Sequence, residues 1–144
     1  MKVWLDRILL ISLVAIILVL AGTALPVLFG GHLQGNTLLI HMVASGAFVF
    51  ALPISALIWM WRNLSRQTSG GLQRLGFWAL IVSGLLTILT VFTCMLPIAS
   101  TEQMQELIEI HGYAGFAMVP ALLLLVVGAF RWRRTESIRS ETPG

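Results

Sequence analysis

The sequence predicts an all-α integral membrane protein, a four-helix up-down bundle built from two repeated helical hairpins. Three observations lead there. Hydrophobic residues fill 58% of the 144 positions and charged residues only 10%, whereas roughly a quarter of a soluble domain is charged. Between Ile8 and Thr101 the only formal charges are Arg62, Arg66 and Arg74, and none falls from Ile110 to Phe130. Four apolar windows fit, at 8–29, 38–61, 75–99 and 107–130, with Glu109 the one charge inside them, each matching the length of about 20 residues that a bilayer crossing needs. None alternates with the period of two that a barrel strand shows, so backbone hydrogen bonding inside lipid demands helices.

The first window follows Lys2 and Arg7 and is trailed by Ala21-Gly22-Thr23-Ala24, an arrangement shared with signal peptides. Its uncharged run exceeds the roughly 7–15 residues of a signal core, and the expectation is a retained helix. The second window begins after the turn-rich Gly30-Gly31-His32-Leu33-Gln34-Gly35-Asn36. A polar linker, Asn63 to Gln73 with Ser69-Gly70-Gly71, leads to the third. Thr101 to Glu106 reads as a capped start for the fourth, its acids favoured by the positive end of the helix dipole. Residues 135–144 carry no apolar face and are expected to form a disordered cytoplasmic tail behind the 1–134 transmembrane domain.

Cations set the orientation. Lys2, Arg7, Arg62, Arg66, Arg74, Arg131, Arg133, Arg134 and Arg139 all fall in the amino-terminal flank, the middle connection and the carboxy-terminal flank, and none in the other two connections, which places both termini in the cytoplasm of a multi-pass protein of the bacterial inner membrane. Trp4, Trp59, Trp61, Trp78 and Trp132 lie at the same helix ends, as an interfacial belt would. The net charge of +3 is then a topology device, and nucleic acid is not an expected partner.

Helix pairs 1–2 and 3–4 read as two copies of one hairpin about 70 residues apart. Ala24-Leu25-Pro26-Val27 recurs as Met95-Leu96-Pro97-Ile98, and each proline is followed at nearly equal distance by a histidine, His41 or His111. The helix face shared with His41 continues through Ala44, Ser45, Phe48, Val49 and Leu52; that of His111 continues through Ala114, Gly115, Met118, Val119 and Leu122. Size class matches at every step.

In a sequential bundle helices 2 and 4 are diagonal partners, so His41 and His111 face each other near the outer surface. Small residues at Ala44, Ser45, Ala114 and Gly115 leave a flat slot between them that suits a planar macrocycle, and haem iron takes histidine axial ligands. Gly22 and Thr23, or Thr90, Thr93 and Cys94, are positioned to approach such a ring. Two other readings stay open: the histidines hydrogen-bond between the helices of a cofactor-free scaffold or assembly subunit, or each holds a chlorophyll-type pigment. One cysteine, Cys94, rules out an intrachain disulfide, covalent haem attachment through CxxCH and a cysteine-based zinc site. No nucleophile is paired with a base in a hydrolase spacing. His32, beside glycines, reads as solvated, and Glu102, Glu106 and Glu109 as an outward cap of helix 4.

Leu38-Leu39-Ile40-His41 with Ser45-Gly46, and Leu107-Ile108-Glu109-Ile110-His111 with Gly115, resemble the haem-bearing hairpins of four-helix membrane cytochromes b, including cytochrome b561-like subunits. The resemblance implies one non-covalent haem b whose iron is bound by His41 and His111 and lined by Ala44, Ser45, Ala114, Gly115 and Gly22. It further implies an electron-transfer subunit rather than a stand-alone enzyme, relaying electrons between the quinone pool and a larger redox complex or a periplasmic cytochrome. Many relatives carry four histidines for two haems, whereas this chain has one such pair, and no Lys or Arg lies outside to neutralise propionates.

Overall fold

The computed structural model describes residues 2–64, 70–98 and 100–141. Among them there are four α-helices, α1 (Lys2–Leu28), α2 (Gly35–Leu64), α3 (Gly71–Met95) and α4 (Thr101–Glu141). Each is long and apolar enough to cross a membrane, and only 17–33% of each apolar window is buried inside the bundle. The remaining surface, including Leu39, Val43, Phe50, Leu57, Val82 and Leu89, is exposed and apolar. Such a surface belongs against lipid, and the chain is a multi-pass membrane protein.

Every helix begins before its window, and α2 and α4 also run past theirs, because hydrogen bonding carries them into the flanking polar residues, whereas α1 stops at Leu28 and α3 at Met95, short of 29 and 99. The largest difference is at the C-terminus. The segment expected to be disordered continues α4 as far as Glu141: an established helix adds one hydrogen bond per residue without new nucleation. Residues 65–69 of the polar linker and positions 142–144 lie outside the described residues.

The helices pack α1 on α2, α2 on α3, α3 on α4 and α4 on α1, and among the described residues the diagonal pairs do not come into close backbone approach. This is the sequential bundle the sequence implies, and α2 and α4 stand across its axis. The two hairpins differ in intimacy. A Cβ at Gly76 would collide with the backbone of Leu125, and with the Leu124 carbonyl carbon at 2.7 Å; one at Gly128 would collide with the backbone of Gln73. Two glycines thus bring α3 and α4 into backbone contact, the membrane solution of small residues at an interface. Between hairpins, Gly84 on α3 makes room for Leu52 and Phe48 of α2, its added Cβ falling 2.6 Å from Leu52 Cδ2.

Large side chains fill the half of the bundle nearer the N-terminus. Leu13, Ile17, Phe48, Leu52, Phe77 and Leu80 are fully buried there. Trp59 departs from the belt reading: it is 6% exposed, and its Nε1–H donates to Asp6 Oδ1 at 3.2 Å, joining α2 to α1. A buried indole N–H needs such an acceptor, which explains a carboxylate one turn inside α1. Trp4 and Trp78 are exposed as a belt requires.

The capped start of α4 is present one residue earlier than Thr101. Ser100 N–H donates to Gln103 Oε1 at 2.9 Å, and Gln103 N–H donates to Ser100 Oγ at 3.3 Å, a reciprocal capping box. At the end of α1, Gly30 (φ 77°) takes the left-handed conformation and Gly31 N–H returns to the Pro26 carbonyl at 2.9 Å. The repeated prolines are not structural equivalents: Pro26 lies inside α1, whereas Pro97 follows α3.

Candidate functional site

One cavity of about 180 Å³ opens among the four helices on the side of the bundle bearing the α1–α2 and α3–α4 connections. Its wall is apolar apart from His41, Ser45, Thr87 and His111, with Phe48, Phe116 and Met118 at its inner end and Leu33 and Ile108 toward the connections. Both histidines therefore meet one space from diagonal helices. Each is half-buried.

Each ring is held by the preceding helix. His41 Nδ1 lies 2.8 Å from Thr23 Oγ1 of α1. His111 Nδ1 lies 3.2 Å from Thr90 Oγ1 and 3.1 Å from the Thr87 carbonyl of α3. A carbonyl can only accept, so His111 carries its proton on Nδ1. For His41, the Thr23 hydroxyl has carbonyl acceptors of its own, Val19 at 2.8 Å and Leu20 at 3.0 Å, which leaves its oxygen able to receive from Nδ1–H in the same way. Nε2 of both histidines has no hydrogen-bond partner among the described residues, and it is the ring nitrogen left to the cavity. An imidazole with Nδ1–H anchored and Nε2 bare is in the form that ligates a metal.

Of the residues singled out in the sequence, the cavity brings together His41, His111, Ser45 and Gly115. Ala44 packs against the hydrophobic core, Ala114 is buried, and Gly22 is exposed with open space at its Cα; these three do not line it. Gly112 and Gly115 do, and a Cβ at either would meet nothing within 4 Å. Thr23 and Thr90, placed by the sequence near a macrocycle, instead touch the imidazoles. Thr87 and the wall from α1, Ile17 to Val27, were not apparent in the sequence. The available signal was the run Ser83, Thr87, Thr90 on one face of an otherwise apolar α3.

Thr93 and Cys94 do not reach the cavity, and His32 is exposed as expected of a loop residue. No group of three or more His, Cys, Asp or Glu side chains capable of holding a metal ion occurs among the described residues. The histidine pair could supply at most two protein ligands, too few to hold a bare ion.

A scan against family models finds no match, and searches of curated proteins and of solved structures find none either. Fold and site define a class by architecture: an all-α, multi-pass four-helix membrane bundle with one cavity that receives a histidine from each hairpin.

Proposed function

We propose that this chain is a membrane b-type cytochrome subunit that holds one haem b between Nε2 of His41 and Nε2 of His111 and relays electrons. The observation that carries this reading is that both imidazoles enter one apolar cavity with Nδ1 tied to the protein and Nε2 unused. The open space at Gly112 and Gly115 and the small Ser45 are consistent with a ring lying against α2 and α4. Bound there, haem would supply a one-electron ferric–ferrous couple. The chain's part is to present two neutral imidazoles, fix their rotation through the neighbouring helix and exclude water with Phe48, Phe116 and Met118.

The cavity is smaller than small-molecule sites of about 300–1,000 Å³, so a macrocycle seats only as the hairpins part along their sparse contacts. Since large side chains pack the opposite half of the bundle, electrons enter and leave on the histidine side. That side is periplasmic if the cations of the other end are cytoplasmic in a bacterial inner membrane. The exchange partner is a periplasmic cytochrome, a larger redox complex, or quinone in the adjoining leaflet.

A second reading is favoured by the Thr23–His41 and Thr90–His111 bonds: a cofactor-free scaffold in which the histidines join helices within each hairpin. It leaves both Nε2 atoms without a role. Oxidised and dithionite-reduced absorption spectra of the full-length protein, purified from haem-replete cells, separate the readings. Low-spin haem b bands are expected, and a colourless preparation rejects the cytochrome. Chlorophyll-type pigment would appear as its own spectrum.

A further inference from the structure

The two histidine anchors are the same device built twice. In α1 the Thr23 hydroxyl reaches the carbonyls of Val19 and Leu20, four and three residues before it. In α3 the Thr90 hydroxyl reaches those of Leu86 and Thr87, at 2.9 Å each, with the same spacing. Nδ1 of each histidine then meets the threonine oxygen, at 2.8 Å for His41 and 3.2 Å for His111, and Nδ1 of His111 also meets the carbonyl three residues before its threonine, at 3.1 Å.

The clamps do not follow the sequence repeat. Thr23 and His41 are 18 residues apart, Thr90 and His111 21. The extra length is one helical turn at the start of α4, so His111 sits deeper in its helix than His41 in α2. The geometry is therefore restored despite a slip in register, which a merely inherited contact would not require.

We infer that Thr23 and Thr90 are positioning residues that lock His41 and His111 as Nδ1–H tautomers, aim both Nε2 atoms at one occupant and set the donor strength of each ring. The inference rests on the cytochrome reading for its redox consequence, but the tautomer and ring orientation belong to the protein alone. With its proton committed to the carbonyls behind it, each hydroxyl presents a lone pair to Nδ1–H. An acceptor there makes the imidazole more electron-donating, which favours ferric over ferrous iron.

The test uses the full chain in nanodiscs with ¹⁵N-labelled histidine, before and after haem loading, as wild type and as Thr23→Val, Thr90→Val, Thr23→Ser and Thr90→Ser. Without haem, both intramembrane rings are expected to show protonated Nδ1 and bare Nε2. Each valine variant should shift only its own histidine's Nδ1 resonance toward a weaker hydrogen bond, and each serine variant should restore it. With haem, each valine should raise the midpoint potential, the double variant by about the sum, with serine near wild type. Protonated Nε2 in the wild type, or valine variants with unchanged Nδ1 resonances, overturns the inference; so does a haem-loaded valine variant at the wild-type potential. If no haem binds, the cytochrome reading fails and the ¹⁵N spectra alone decide the clamps.

Discussion

Gly76 of α3 lies against the backbone of Leu125 of α4 with no room for a Cβ between them. Overpacking of a tight contact costs about 1–3 kcal/mol, and backbone on both sides leaves little to yield. Gly76→Ala should therefore lower the thermal midpoint in detergent and loosen the second hairpin, with Gly128→Ala acting likewise at Gln73. Gly46→Ala, where a Cβ meets nothing within 4 Å, serves as the control and should leave the midpoint in place. Equal midpoints for all three would refute glycine-mediated contact.

His41→Ala and His111→Ala should each abolish a low-spin haem spectrum, since both axial positions must be filled. Far-ultraviolet circular dichroism should stay helical, because half-buried rings contribute little to the bundle core. A low-spin band surviving in either variant removes that residue from the ligand set.

Filling the cavity separates space from ligation. Gly115→Ala adds a methyl to open space and should be tolerated, whereas Gly115→Leu should occupy the wall beside His111 and block haem while both histidines remain. Undiminished haem content in the leucine variant would place the ring elsewhere.

Ser55 is 2% exposed and its Oγ has no hydrogen-bond partner among the described residues. An unsatisfied buried polar atom costs about 1–3 kcal/mol, so Ser55→Ala should raise the thermal midpoint. A lower midpoint would mean that the hydroxyl is bonded after all.

Orientation is open to labelling in a Cys94→Ser background. A cysteine at His32 should react with an impermeant maleimide in intact cells and one at Gly71 should not, if the cation-bearing end is cytoplasmic. The opposite pattern reverses the topology and moves the proposed exchange site to the cytoplasmic leaflet.

Hydropathy along the chain determined the number of helices, because in lipid each span must meet its own backbone hydrogen bonds and so must carry its own apolar run. Diagonal placement of His41 and His111 followed from short connections, which force neighbours to be antiparallel. Tertiary structure alone decided which residues surround the histidines. Matching prolines suggested one register, yet the Thr23 and Thr90 bonds show α4 slipped by a turn relative to α2. Side-chain spacing within a helix is fixed by 3.6 residues per turn, whereas the offset between helices depends on close contacts such as Gly76 with Leu125 and Gly128 with Gln73, which no single segment encodes. Packing between helices likewise left Ala44, Ala114 and Gly22 off the cavity wall and put Thr87 on it.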